Sequence, residues 1–207
     1  MYEYKIDIPS SINITTPVVI TIHGMGSNYD DLNTLVPAII GNAVSIHLQG
    51  DLSFGAGYAF FIPDFTKHSE ESIIRPVIDK IYATITKIIA DNNLQQQPIY
   101  LIGFSQGAII GTGLINLYAD FLTKVWLFSG RMPTFIAESG QKLTTKTKTD
   151  VFVSQGLIDP LFEPKVGQAI AKNLGSHVRT LQYKEYPSGH TIHVNTIVDA
   201  QSLIHIK

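Results

Sequence analysis

Short runs of β-branched and aromatic residues alternate along this chain with longer segments whose apolar residues recur at helical spacing. The longest such segment, residues 70–91, would bury a helix face formed by Ile74, Val77, Ile78, Ile81, Ile85 and Ile88. Strands that alternate with helices are typical of α/β proteins with a mainly parallel sheet. We therefore predict about seven strands, over 2–8, 17–22, 43–48, 99–104, 125–128, 151–154 and 179–185. The predicted flanking helices span 31–40, 70–91, 106–118, 164–174 and 194–204.

The chain is long enough for one hydrophobic core. It has 207 residues, 44% of them hydrophobic, and no shift in composition marks a boundary, so we predict a single domain over residues 1–207. The two least regular stretches are 50–68 and 139–149. Only about twenty residues separate the predicted strands at 125–128 and 151–154, and a crossover helix needs about 10–12 of them. We therefore expect no cap domain and an open active site.

The composition excludes several classes of function. A formal net charge of -2, with the densest basic stretch at 142–148 diluted by threonines, argues against a nucleic-acid partner. The chain has no cysteine, which excludes disulfides, thiolate metal sites and a cysteine nucleophile. No apolar stretch approaches the ~18 residues of a transmembrane helix, and the acidic N-terminus is unlike a signal peptide. We expect a soluble, cytoplasmic protein without integral membrane contact.

The most informative segment is the junction between a strand pattern and an apolar helical pattern at Gly103-Phe104-Ser105-Gln106-Gly107. A serine on a tight strand-to-helix turn is held out from the sheet edge, and the strained turn requires small neighbours such as these two glycines. The first N–H groups of the following helix point at the site and suit a developing oxyanion. We predict that Ser105 is a catalytic nucleophile. The alternative is a purely structural turn.

An earlier strand also runs into a glycine-rich turn, His23-Gly24-Met25-Gly26. Hydrolases with such a serine turn take one oxyanion donor from the residue after the serine and another from an earlier strand-to-helix loop. We therefore predict the backbone N–H groups of Met25 and Gln106 as the oxyanion hole, with a plain turn as the alternative. Because His23 precedes the serine in the chain, we predict a structural, hydrogen-bonded role for it.

The acid and the base of such a site follow the serine in the chain, at the carboxyl ends of later strands. Asp159 is the one acidic residue that meets both conditions, and its alternative is a structural turn before Pro160. His190 follows the last predicted strand, so we predict it as the base and keep His193 as the reserve candidate. The base would take the proton of Ser105 and pass it to the leaving group, while Asp159 fixes the imidazole tautomer.

These motifs resemble those of the phospholipase/carboxylesterase family of α/β hydrolases, which includes the acyl-protein thioesterases. The resemblance covers roughly residues 17–200, through His23-Gly24-Met25-Gly26, Gly103-Phe104-Ser105-Gln106-Gly107, Ser129-Gly130, Gln155-Gly156-Leu157-Ile158-Asp159-Pro160 and Gly189-His190-Thr191. It implies an α/β-hydrolase fold without a cap domain that acts on esters or thioesters of modest acyl chains. The chain departs from the family at Gln155, where the family usually has a histidine. This departure leaves the triad intact but makes the substrate less well defined.

Aromatic residues cluster on the glycine-rich stretch 50–61, which resembles the family's aromatic loop beside the acyl site. Phe54, Tyr58, Phe60 and Phe61 would form an apolar acyl groove, and Leu157 and Ile158, next to the predicted acid, would extend it. The alternative is that these aromatic side chains only cover the core.

We therefore predict a serine hydrolase of the carboxylesterase or phospholipase type, independent of metals and cofactors. It would cleave small-molecule carboxylic esters or thioesters through an acyl-enzyme. One alternative is a serine hydrolase of another bond, such as a peptide or a lactone. A second alternative is a non-enzymatic binding protein on the same fold, against which the complete triad argues. A homodimer stays open as the assembly.

Overall fold

The computed structural model describes residues 1–138 and 146–206 and contains alternating strands and helices. The strands are β1 (Glu3–Asp7), β2 (Val18–Ile22), β3 (Val44–Gln49), β4 (Leu52–Phe54), β5 (Gly57–Ala59), β6 (Ile99–Phe104), β7 (Lys124–Phe128), β8 (Asp150–Gly156) and β9 (Thr180–Tyr186). The helices are α1 (Leu35–Ile39), α2 (Glu70–Asp91), α3 (Gln106–Leu117), α4 (Thr134–Glu138), α5 (Pro164–Leu174) and α6 (Val194–Ala200), the last continued by a 3-10 helix at Gln201–His205.

Within these residues one sheet contains seven strands in the order β1-β3-β2-β6-β7-β8-β9. β1 pairs antiparallel with β3, and the other neighbours pair in parallel. The predicted mainly parallel sheet of about seven strands flanked by helices is therefore confirmed. Because parallel strands end at the same edge, the carboxyl ends of β2, β6, β8 and β9 lie along one side of the sheet.

Helices cover both faces of this sheet, which explains why its central strands are uninterrupted apolar runs. All five residues of β2 are buried. Ile20 belongs to the hydrophobic cluster that includes α2, α3 and α5, whereas Val19 belongs to the cluster that includes α1 and α6. Adjacent residues of a strand point to opposite faces, so a strand covered on both sides needs apolar residues at every position.

Helix α2 begins and ends at the predicted residues, Glu70 and Asp91. The hydroxyl of Ser69 accepts a hydrogen bond from the N–H of Ser72 at 3.2 Å, an N-cap worth about 1 kcal/mol. Isoleucines spaced by three and four residues form the buried face of the helix, and Ile81 is fully buried among them. Truncating such a side chain to alanine costs about 2–5 kcal/mol, so this face holds the helix to the sheet.

The structure differs from the sequence prediction at several places, and helix α4 at Thr134–Glu138 was not predicted. Helix α1 is shorter than the predicted 31–40, and Pro37 lies in its first turn, where no N–H donor is needed. The predicted helix 194–204 becomes 3-10 after Ala200. The stretch 50–68, predicted to be irregular, contains the hairpin of β4 and β5. Most of the other irregular stretch, 139–149, and of the basic stretch 142–148 lies outside the described residues.

A buried charged cluster lies at the amino ends of β7 and β8, on the sheet edge opposite to the serine turn. The ammonium of Lys124 donates to the carbonyls of Leu203 at 2.6 Å and Ile206 at 2.8 Å. Asp150 is fully buried and accepts a hydrogen bond from Nε of Arg179 at 2.8 Å, with Lys124 Nζ at 3.5 Å. This cluster ties the C-terminal 3-10 helix and the start of β9 to the sheet.

Candidate active site

Ser105 lies at the turn between β6 and α3, with φ 52° and ψ −112°. Its N–H donates to the carbonyl of Phe128 at 2.9 Å, which holds the turn against the end of β7. A Cβ on Gly103 would lie 2.6 Å from the carbonyl oxygen of Gly107, and one on Gly107 would lie 1.9 Å from that of Ile22. The two glycines are therefore required by close backbone contacts as well as by the strained turn, whose cost is about 1–3 kcal/mol.

The structure brings Ser105, Asp159 and His190 together from the ends of three strands. Nε2 of His190 lies 2.8 Å from the Ser105 hydroxyl oxygen, and Nδ1 lies 2.8 Å from Oδ2 of Asp159. A carboxylate can only accept, so Nδ1 carries the proton and Nε2 is left as the acceptor for the serine hydroxyl. The ring centroids of Phe104 and Phe162 lie 5.0 and 5.5 Å from that of the imidazole, so both aromatic side chains pack against it.

The carboxylate of Asp159 is completely buried and accepts hydrogen bonds on both oxygens. Oδ1 accepts from the N–H groups of Leu161 at 2.8 Å and Phe162 at 2.9 Å. Oδ2 accepts from His190 and also from the side-chain amide of Gln155 at 3.0 Å. Burial raises the pKa of Asp159, but the hydrogen bonds from Phe162, His190 and Leu161 outweigh it and hold the pKa below its usual value. Asp159 is therefore ionised at neutral pH.

The glycine-rich turn after β2 packs directly against the serine. A Cβ on Gly24 would lie 3.2 Å from Cβ of Ser105. Nδ1 of His23 lies 2.6 Å from the carbonyl oxygen of Gly24, and Nε2 accepts the N–H of Gly50 at 3.0 Å. Burial lowers the pKa of His23, so the imidazole is neutral, with its proton on Nδ1. Its contacts match the predicted structural role and fix the turn that carries the N–H of Met25.

The hairpin of β4 and β5 is joined to this turn by backbone pairing. The N–H of Gly26 donates to the carbonyl of Tyr58 at 2.8 Å, and the N–H of Tyr58 donates to the carbonyl of Ser27 at 2.7 Å. A Cβ on Gly57 would lie 2.3 Å from the carbonyl oxygen of Gly26, so the hairpin lies against the turn without room for a side chain there. The position of the hairpin and that of the predicted oxyanion turn are therefore linked.

The side chain of Gln106 makes a second link, which the sequence did not reveal. It is buried, accepts the N–H of Phe60 at 2.6 Å and donates to the carbonyl of Phe61 at 2.8 Å. Its backbone N–H, at the start of α3, meets no acceptor within the described part of the chain, and neither does that of Met25. Neither N–H group is therefore used by a contact within the described residues, which is one requirement of the oxyanion prediction.

The residues predicted to line an acyl groove fall into two groups. The side chains of Phe54, Tyr58, Leu157 and Ile158 are exposed at 42%, 36%, 46% and 74%. Phe60 and Phe61 are buried at 1% and 4% and belong to the core, as the alternative interpretation expected. The first four are therefore the ones within reach of a ligand.

The reserve histidine has a structural partner elsewhere. His193 is the N-cap of α6, where its Nδ1 accepts the N–H of Asn195 at 3.2 Å, and its ring stacks on Tyr186 at 5.6 Å. Residues 1–138 and 146–206 contain no group of three or more histidine and acidic side chains arranged to hold a metal ion. The same residues include no helix with the length and apolarity needed to cross a bilayer.

Comparisons with known proteins agree with this architecture. The family model described as phospholipase/carboxylesterase matches residues 5–207. A "Probable carboxylesterase SOBER1-like" of Arabidopsis thaliana is 29% identical over 124 residues, which cover 59% of this chain and 47% of that protein. The "Probable carboxylesterase Os04g0669500" of Oryza sativa subsp. japonica is 27% identical over 141 residues, 67% of this chain and 53% of its own length. The chain thus matches about half the length of these relatives.

Solved structures with low sequence identity share the fold over nearly the whole chain. The carboxylesterase of Bacillus cereus superposes with a TM-score of 0.86 at 18% identity, covering 99% of this chain and 93% of that one. SOBER1 of Arabidopsis thaliana superposes with a TM-score of 0.72 at 21% identity, covering 92% and 97%. These similarities establish a common architecture.

Proposed function

The chain belongs to the phospholipase/carboxylesterase family, and we propose that it hydrolyses carboxylic esters or thioesters through an acyl-enzyme on Ser105. The observation that carries the proposal is the unbroken chain of contacts from the serine hydroxyl through His190 to Asp159, each 2.8 Å long. The family and the names of the relatives support the class of reaction.

Acylation begins when Ser105 Oγ attacks the carbonyl carbon of the substrate and its proton passes to Nε2 of His190. The new C–O bond pushes the carbonyl electrons onto oxygen, and the N–H groups of Met25 and Gln106 stabilise that oxyanion. One such donor contributes about 10²–10³ in rate. Asp159 keeps the proton on Nδ1 and stabilises the imidazolium that forms.

The leaving group departs when the tetrahedral intermediate collapses and the bond from carbon to the alcohol oxygen or thiol sulfur breaks. His190 Nε2 returns its proton to that atom, which leaves an acyl ester on Ser105 and a neutral imidazole. Water then gives a proton to the same nitrogen and attacks the acyl carbon. When the second intermediate collapses, the bond from the acyl carbon to Ser105 Oγ breaks and His190 returns its proton to Oγ, which releases the acid and restores the serine hydroxyl.

We propose that the acyl chain lies between two exposed apolar surfaces that flank the triad. The hairpin supplies Phe54 and Tyr58, and the loop after β8 supplies Leu157 and Ile158, which directly precede Asp159. Each buried methylene contributes about 0.8 kcal/mol, so longer acyl chains should react more efficiently until the surface is covered.

A substrate panel tests this function. We expect the rate of hydrolysis of aryl esters and acyl thioesters to rise from acetyl to medium acyl chains. Aminoacyl amides and lactones should react more slowly. In Ser105→Ala the hydrolysis should disappear. Faster turnover of amides or lactones would assign the site to another bond. Ester hydrolysis that persists at the wild-type rate in Ser105→Ala would refute the proposal.

A further inference from the structure

Gln155 lies at the end of β8, four residues before Asp159, in the position where this chain departs from its family. The residue is 1% exposed and lies against α5, where a Cβ on Gly167 would come within 2.9 Å of Cβ of Gln155. Its amide nitrogen donates to Oδ2 of Asp159 at 3.0 Å and to the carbonyl of Phe162 at 2.6 Å. One side chain therefore bridges the loop that carries the acid.

The orientation of this amide follows from its partners. Asp159 Oδ2 and the Phe162 carbonyl are both acceptors, so only the –NH₂ end of Gln155 can face them. The amide oxygen then points the other way, where it is buried and meets no hydrogen-bond donor within residues 1–138 and 146–206. A buried acceptor without a partner destabilises a fold, and such exceptions occur where function requires them.

We propose that Gln155 is a positioning residue of the triad, which orients Asp159 toward His190 by holding the carboxylate and the loop at residues 156–162 with a single amide. The inference rests on the proposed function for its catalytic meaning. With Gln155 present, each oxygen of Asp159 has two donors, and the carboxylate cannot rotate without breaking a hydrogen bond.

The carboxylate that Gln155 holds also stabilises the protonated imidazole. If the amide is removed, Asp159 and its loop can turn away from His190, and the protonated imidazole is stabilised less. The base must be neutral to accept the serine proton, so the acidic limb of the activity profile should move to lower pH. A residue with only a structural role would not move this limb.

Gln155→Met tests the inference because methionine has a similar length, lacks both donors and also removes the unpaired acceptor. Gln155→His is the conservative variant, since an imidazole restores one N–H donor. Gln97→Met is the matched control: the Gln97 amide oxygen is also buried without a donor, but it lies before β6, at the opposite edge of the sheet. The readouts are kcat, KM, the pH profile of kcat/KM, the melting temperature and the low-field proton resonance of His190 Nδ1–H.

For Gln155→Met we expect kcat to fall about tenfold to a hundredfold, the loss that corresponds to one hydrogen bond to a charged group. We expect KM to change by less than about twofold, the acidic limb to move to lower pH and the melting temperature to stay level or rise. Gln155→His should recover part of kcat. Gln97→Met should match the wild type.

Either of two kinetic results would overturn the inference: a kcat for Gln155→Met within about twofold of wild type, or a lower kcat that comes with a lower melting temperature and an unmoved acidic limb. The proton resonance of His190 Nδ1–H is measured without substrate, so it tests the inference separately from the proposed function. It should shift or broaden in Gln155→Met and stay unchanged in Gln97→Met, whatever substrate the wild-type protein hydrolyses. An unchanged resonance in Gln155→Met would also refute the inference.

Discussion

Gln106 has two separable roles. Its side chain supports the segment after the hairpin, and its backbone N–H is the proposed oxyanion donor, so a side-chain substitution changes only the first. Gln106→Leu would keep the backbone N–H at the start of α3. It would remove the acceptor for the N–H of Phe60 and the donor for the carbonyl of Phe61. Both backbone groups would then be left unpaired in a buried environment.

The size of the effect follows from these two contacts. A buried polar group that loses its partner costs about 1–3 kcal/mol, so two groups cost about 2–6 kcal/mol. Burial of the leucine side chain offsets roughly 1–2 kcal/mol of this loss. From the middle of each range we expect the free energy of unfolding to fall by about 2.5 kcal/mol, a large part of the 5–15 kcal/mol typical of a domain.

Urea unfolding can measure this change through the fluorescence of Trp126, the one tryptophan of the chain, which is fully buried in β7. The same variant should hydrolyse acetyl esters better than longer acyl esters, relative to wild type, because the hairpin and not the N–H of residue 106 is displaced. A stability within about 0.5 kcal/mol of wild type would show that the two buried hydrogen bonds contribute little, as surface substitutions give changes of that size. An equal loss for every acyl length would refute the displacement of the hairpin.

Three further predictions concern the triad, the turn beside it and the buried charges. His190→Ala should lose nearly all ester hydrolysis in a steady-state assay and His193→Ala should keep most of it; the reverse result would move the base. Gly24→Ala should lower kcat about tenfold without lowering the melting temperature, because its Cβ would lie 3.2 Å from that of Ser105 and shift the nucleophile slightly. Asp150→Asn should lower the free energy of unfolding by about 3–5 kcal/mol at neutral pH, since it leaves the buried ammonium of Lys124 without its opposite charge. Burial raises the pKa of Asp150, but the interactions with Arg179 and Lys124 lower it by more, so the pKa lies below its usual value. The carboxylate therefore stabilises the fold at neutral pH and loses this effect below about pH 4, so urea titrations of the variant should show weaker acid dependence there.

The three predicted triad residues could be found in the sequence because each follows a recognisable strand. Strand patterns end at Phe104, Ser154 and Glu185, and only residues after Ser105 at such ends were candidates, with His193 kept as the reserve base. Asp150 illustrates the principle, since it begins β8 and pairs with Arg179 at the opposite edge. A residue's position relative to the strand direction therefore carried more information than its chemical type.

The contacts that support the site were not predictable in the same way. β4 and β5 have three residues each and carry little periodicity, and their place is set by the pairing of Tyr58 with Gly26 and Ser27. Phe60 and Phe54 belong to one aromatic stretch, but only the backbone path decides that Phe60 enters the core and Phe54 faces outward. Likewise, the role of Gln155 depends on the conformation of the loop it bridges.

Covalent labelling can show whether Ser105 is the nucleophile that His190 activates. The protein should be treated with a fluorophosphonate, an irreversible analogue of the tetrahedral intermediate, and the adduct located by peptide mass spectrometry. We predict one adduct, on Ser105, that is absent in Ser105→Ala and forms far more slowly in His190→Ala. An adduct on another residue, or no adduct on the wild-type protein, would contradict it.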